Sequence, residues 1–357
     1  MRPYRLFILP LLIALGCADR SDGPLPAEHD HPPAVRVHQP AQLQALFAPG
    51  SAHIEAPDGG ARYRRVGLRL EGDVGALSWR ARRADGTWTP WAPVTWAFAE
   101  GGLGAAALDP GGPVGAVALR AERPQALREF AVEFLEQAAA VERPWRARPL
   151  AAVEQRHLAL VPPPDFVVDR NGWGAREPDK LCNPVSQVYR FTVHHTASRA
   201  DDGDMPVRMR QIQAYHMDVH GWCDIGYHFA VSATGQVYQG RNDERRPGAH
   251  AGRNNDGNIG VAVLGNFEEG PVPEAQFDGL VRLVRWAVET HGIVPDREHI
   301  RGHREWPTNN TLCPGADLFA RMDELVARVR GDAPSPGPEP DPTPDPEPDP
   351  DPEPDPE

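Results

Sequence analysis

The sequence predicts an α/β domain, a central mixed β-sheet flanked by helices, preceded by a small all-β domain of sandwich type. Three observations carry this. Residues 166–330 interleave short apolar strand runs with amphipathic helical patterns, which implies a mixed sheet covered by helices. Residues 41–137 show mainly the period-two alternation of strands, cut by Gly-rich and Pro-rich turns. Between them, 138–165 reads as a linker ending in Pro162-Pro163-Pro164. A chain of 357 residues is long for one ordinary domain, so two folded units with tails are expected.

The elements follow in chain order. Arg2 and Arg5 precede an apolar run, Leu6 to Leu15, broken by Pro10. This is the pattern of an export signal and is too short to span a bilayer. It ends Ala14-Leu15-Gly16-Cys17, which resembles the lipobox of bacterial lipoproteins and makes Cys17 the expected site of lipidation. Ala14 and Leu15 depart from the usual residues there, and an ordinary secretory signal is the alternative. Both imply export from the cytoplasm: a lipidated Cys17 would hold the protein in the bacterial cell envelope, with membrane contact only through that anchor, and an ordinary signal would leave it secreted. Residues 18–40 are polar, His/Pro-rich and read as a spacer.

In 41–137, Val66, Leu68 and Leu70 alternate with Gly67 and Arg69, and Phe130, Val132 and Phe134 alternate likewise. Asp85-Gly86 before Trp88 is a hairpin signal. Trp79, Trp88, Trp91 and Trp96 cluster here, either to stack on sugars or to pack between strands. In 166–330, Arg190 to His195 (RFTVHH) is a strand run. Ile212, Tyr215, His216 and Val219 share a helical face. Thr234-Gly235 turns a hairpin, and Asn258 to Leu264 (NIGVAVL) suits a buried strand. Leu280, Leu283, Val284, Ala287 and Val288 mark a helix that stops at Gly292, and Leu318 to Val329 marks the last one.

From 331 the chain is Pro-Asp/Glu low complexity, which cannot bury a core and is expected to be extended. It also dominates the charge. Of the formal −13, nine negative charges lie in 334–357, leaving −4 for everything else. No basic footprint points to nucleic acid. After Cys17, three cysteines remain: Cys182, Cys223 and Cys313. In an oxidising compartment one disulfide plus one thiolate ligand is a reasonable partition.

The chemistry gathers around RGHREWPTNNTLCPG, residues 301–315, with His303 and Cys313. A third ligand is available in His194, at the end of the RFTVHH strand. Two histidines and a cysteine leave a fourth tetrahedral position open, as in catalytic zinc sites. Spacing alone is weak support in a chain with 14 histidines.

The order of motifs is more specific. Trp173-Gly174-Ala175-Arg176, Val193-His194-His195-Thr196-Ala197, Gly221-Trp222-Cys223-Asp224-Ile225-Gly226-Tyr227-His228-Phe229, Gly248-Ala249-His250-Ala251, Asn258-Ile259-Gly260-Val261, Gly302-His303-Arg304 and Cys313-Pro314-Gly315 follow one another. Residues 166–330 thereby resemble the peptidoglycan recognition protein and type 2 N-acetylmuramoyl-L-alanine amidase family. The resemblance implies a monomeric zinc amidase that cuts the amide between the lactyl group of N-acetylmuramic acid and L-alanine, or else a recognition protein that binds peptidoglycan without cutting it. It implies His194, His303 and Cys313 as Zn2+ ligands. It implies Tyr227 and Thr311 as the residues that polarise the scissile carbonyl. His216, His250 and Asn255 match positions that touch muramyl peptide, and His195 and Thr196 beside the first ligand are assigned to the same groove. Cys182 and Cys223 match a disulfide pair. Two departures stand out. Nine residues separate His303 from Cys313, where the recognition type usually has seven. Ala262 stands where the cytoplasmic recycling amidases carry a catalytic glutamate, which favours a polymeric wall substrate.

Overall fold

The computed structural model describes residues 34–37, 40–48, 50–57, 59–136, 163–178, 182, 185–199, 203–307 and 309–332. The export signal, Cys17, most of the spacer and linker, and the acidic tail lie outside these residues. Among the described residues no helix is long and apolar enough to cross a membrane.

The N-terminal domain is two antiparallel sheets face to face. One has the order β1 (Ala34–Val37), β9 (Glu129–Leu135), β3 (Arg65–Glu71), β7 (Leu103–Leu108), β6 (Phe98–Glu100). The other runs β2 (Ala52–Glu55), β8 (Val114–Ala121), β4 (Leu77–Arg83), β5 (Ala92–Pro93). Inward residues such as Val66, Leu68, Val117, Leu119, Phe130 and Phe134 fill one core, as the alternation requires.

Two elements differ from the sequence reading. Strand β1 falls in the stretch read as spacer; it pairs with β9 from Ala34↔Glu133 to Val37↔Phe130. Helix α1 (Pro40–Phe47) opens a region read as strands. Pro40 suits a first helical turn, and Leu43 and Phe47, four apart, are buried together, Phe47 edge-on to Phe130. The four tryptophans are half-buried and make contacts within the domain. Arg80 lies over both Trp88 (4.6 Å) and Trp91 (4.8 Å), and Arg120 lies over Trp91 (4.4 Å), in cation–π contacts. Trp79 and Trp96 pack on the core.

The second domain holds a six-stranded mixed sheet, β10 (Val167–Val168), β13 (Val237–Gln239), β12 (Phe229–Val231), β14 (Asn258–Val263), β11 (Arg190–His195), β15 (Ile300–Gly302). Only β12 and β13 are antiparallel, joined by the expected hairpin with Gly235 at φ 79°. Helix α4 (Glu274–His291), ending at left-handed Gly292, and helix α6 (Met322–Arg330) cover one face with α5 (Ala316–Ala320). Helix α2 (Arg170–Trp173) and helix α3 (Met205–Ala214) cover the other, through Trp173, Met209, Ile212 and Leu264. At Tyr215–Val219 the second of these continues as one π-helical turn. Cys182 and Cys223 form the disulfide, and Cys313 remains a thiol.

Strands β14, β11 and β15 are parallel neighbours, so their carboxyl ends share one edge. Ligand sites in such sheets form outside the carboxyl ends of the strands.

Candidate metal centre

His194 is the fifth residue of β11, and His303 is the first residue after β15. Since β11 pairs directly with β15, both histidines arrive at the same sheet edge. The loop that returns Cys313 is tied to them by main-chain contacts: Arg304 N–H donates to the Cys313 carbonyl (2.9 Å). Gly302 is required there, because a Cβ would come within 2.9 Å of the Pro314 ring. The Thr311 hydroxyl accepts from Cys313 N–H (3.1 Å) and holds the cysteine's backbone. The result is a buried cluster whose three ligand atoms all lie within 4.8 Å of one another, and it is the one such cluster among the described residues.

The hydrogen bonds assign the tautomers. His250 Nε2 lies 3.1 Å from the Asn258 carbonyl, which can only accept, so this nitrogen carries the proton. His250 Nδ1 is then an acceptor, and His194 Nε2, 3.0 Å away, donates to it. That leaves His194 Nδ1 with its lone pair, 3.7 Å from Cys313 Sγ. Tetrahedral zinc with ordinary Zn–N and Zn–S bonds holds nitrogen and sulfur about 3.6 Å apart. The donor set and its spacing therefore fit a zinc ion. A carbonyl behind a ligating histidine is the usual device for fixing its orientation, and here it acts through a second imidazole. The His195 N–H points at Cys313 Sγ (3.4 Å), an orientation that favours the thiolate.

Tyr227 borders the cluster, its ring centre 5.4 Å from that of His194. Burial, then the neighbouring Cys313, pushes its phenol well above the usual range, so it is a proton donor at neutral pH. His216 lies edge-on to Tyr227 at 5.6 Å. Its Nδ1 accepts from Gly226 N–H (3.0 Å), and burial, then His220, depresses its pKa, so the ring is neutral.

A profile described as N-acetylmuramoyl-L-alanine amidase matches residues 184–316. Peptidoglycan-recognition protein SD of Drosophila simulans is 34% identical over 161 residues, 44% of this chain and 84% of that protein. The chain belongs to the peptidoglycan-recognition protein family. Mouse peptidoglycan recognition protein 3 is 33% identical over 156 residues, 43% of each chain. The crystal structure of Drosophila peptidoglycan recognition protein SD aligns over 44% of this chain and 93% of its own, at 34% identity and a TM-score of 0.40.

The other residues expected of a member of this family divide into two groups. His216 stays at the border of the cluster with Tyr227. His250, 2% exposed, sits behind His194, and Asn255 folds the loop that delivers it. The Asn255 side-chain oxygen accepts from His250 N–H and Ala251 N–H, both at 2.9 Å. His195 follows His194 on a strand, so its ring faces the opposite side of the sheet. There its Nδ1 accepts from Phe267 N–H (3.3 Å). The Thr196 hydroxyl bonds Ser198 (2.7 Å) and accepts from Gly265 N–H (3.0 Å), closing the turn after β11. Ala262 is paired in register with His194, and no carboxylate stands at that position.

Within the long connection from His303 to Cys313, Trp306, Pro307 and Asn309 are tied to the surrounding structure. Trp306 is buried, the Arg190 and Arg301 guanidinium groups lie over its ring (4.9 and 4.5 Å), and its indole N–H donates to Thr192 (2.6 Å). Asn309 donates to the Ala251 carbonyl (3.2 Å) and Asn254 to the Pro307 carbonyl (3.1 Å). Thr192 donates in turn to Asn258 (2.9 Å), which joins this loop to the strand behind His250. Neither this chain of bonds nor the place of His250 behind His194 was assigned from sequence. One available signal is Gly260 within the apolar run of β14: a Cβ there would meet the His250 ring at 2.5 Å.

Proposed function

We propose that the protein is a zinc-dependent N-acetylmuramoyl-L-alanine amidase that hydrolyses the lactyl–L-alanine amide of peptidoglycan. The observation that carries this is the buried His194, His303 and Cys313 cluster, with the His194 ligand nitrogen 3.7 Å from the Cys313 sulfur and Tyr227 beside it. The three side chains would hold zinc, which supplies a Lewis acid and makes a water nucleophilic near neutral pH. Tyr227 keeps its proton and donates to the scissile carbonyl oxygen as negative charge grows on it. Thr311 fixes the Cys313 backbone by accepting its N–H, and its hydroxyl proton is left to turn toward the same oxygen. His250 holds the His194 ring in one tautomer throughout. His216 and Trp222 form the adjoining wall for the muramyl peptide, their ring centres 4.7 Å apart.

The reading extends to an exported, monomeric protein, anchored to an envelope membrane through Cys17, with the intact wall as substrate. It is tested by incubating purified sacculi with the full-length protein and assaying for new L-alanyl amino termini. Binding to sacculi without new termini would leave a recognition protein and refute the hydrolase.

A further inference from the structure

One face of helix α3 and of the π-helical turn packs on the β-domain. Arg208 is 1% exposed; its guanidinium lies 2.8 Å from Glu71 and 3.8 Å from Glu129, whose side chain is wholly buried. Gln211 donates to the carbonyls of Leu70 (3.1 Å) and Gly104 (2.9 Å). Tyr215 and Val219 fit against Gly67 so closely that a Cβ there would lie 2.5 Å from the tyrosine oxygen. Arg65 donates to the Val219 carbonyl (2.7 Å), and the Arg199 N–H, five residues past His194, donates to Glu129 (3.2 Å). Charges buried this deeply are tolerated only while paired, and separating the partners would strand them. A contact of this kind does not open and close. The β-domain is therefore not a module swinging on a tether.

The contact also reaches the wall beside Tyr227. Glu133, on β9, lies 3.2 Å from His220 Nε2. The His220 ring stacks on Trp222 (4.7 Å, 29°), Trp222 lies on His216 (4.7 Å), and His216 meets Tyr227. Three aromatic rings thus stand between one β-domain carboxylate and the residue set beside the metal cluster. The first of them, His216, sits in the π turn, and His220 and Trp222 follow directly on it; such a turn is an irregular piece of helix.

We propose that the β-domain is a built-in brace of the muramyl-peptide groove, and that Glu133 is the positioning residue that holds the His216–His220–Trp222 wall in place. The bracing stands on the contacts above, while the word groove rests on the amidase reading.

The test is Glu133→Gln in the full-length zinc-loaded protein, which keeps volume and removes the charge. His220→Phe is the second variant, retaining the stack on Trp222 while removing the partner. Hydrogen exchange of amides 216–222 should quicken about tenfold or more in either variant, with α4 unchanged. Combining the two should add little, as for residues acting through one contact. With a soluble muropeptide, KM should rise about fivefold or more while kcat and zinc content stay within twofold. Unchanged exchange at 216–222 in both variants would overturn the brace. Faster exchange with unchanged KM would overturn the assignment of this wall to the groove. A wild-type protein that cuts no muropeptide would refute the amidase reading instead, and the exchange measurement would still decide the brace.

Discussion

Replacing His250 with alanine removes the acceptor that fixes His194. The slot is closed, with His250 2% exposed and Gly260 pressed against its ring, so no nearby side chain can swing in to replace it. A buried donor left unmet costs about 1–3 kcal/mol. Loss of the group that orients a metal-ligating histidine weakens metal binding by about 10–100-fold. At about 1.4 kcal/mol per factor of ten, that is roughly 1.4–2.7 kcal/mol, the same range reached from the other direction. The assay is the zinc dissociation constant of full-length His250→Ala and wild type, measured by competition with a chelator of known affinity. The expected result is a rise of about 10–100-fold with native circular dichroism. Gly260→Ala should shift the constant in the same direction, by displacing the ring. A zinc affinity within twofold of wild type in both variants would refute the tautomer relay.

Three further outcomes are expected. Tyr227→Phe should lower kcat by about 10²–10³-fold, the usual effect of removing one oxyanion donor, with zinc affinity retained; an unaltered kcat would remove Tyr227 from the reaction. His228, whose Nδ1 accepts from Gly260 N–H (2.9 Å) and whose Nε2 donates to the Arg246 carbonyl (2.8 Å), has its pKa lowered to about 4, chiefly by burial. The unfolded chain then binds more protons between about pH 4 and 6.5, so stability should fall by about 3 kcal/mol as pH drops through that window. Urea denaturation of the zinc-free protein at several pH values reads this, and an equal slope in His228→Gln would contradict it. The Cys182–Cys223 bridge spans 41 residues, so the Cys182→Ser/Cys223→Ser protein should lose about 4 kcal/mol in the chain-entropy account; an unshifted urea midpoint would argue against it.

The grouping of His194, His303 and Cys313 was legible in the sequence because its parts are local. A strand ending in His-His-Thr delivers His194 at a sheet edge, and Gly-His and Cys-Pro-Gly each make a turn that delivers another member of the cluster. The long amphipathic helix α4 and its Gly292 cap were legible for the same reason: periodicity and capping need no partner. Helix α1 was missed because eight residues give too short a pattern to outweigh the strands that follow it. Strand β1 was missed because its register is set by β9, about a hundred residues away. His250 has the same character. Its motif marks a turn, but only the fold brings that turn behind His194. The bracing contact was the least legible, since nothing local in the sequence links Arg208 with Glu71, 137 residues away.

The central claim is that His194, His303 and Cys313 hold one zinc and that hydrolysis depends on it. The most direct measurement is to strip the full-length protein with a chelator, add zinc back in fractions of an equivalent, and follow stem-peptide release from sacculi. The predicted result is no release from stripped protein, recovery that rises linearly to a plateau at one zinc per chain, and neither tight zinc binding nor recovery in Cys313→Ala. Full activity in the stripped protein, or in Cys313→Ala, would contradict it.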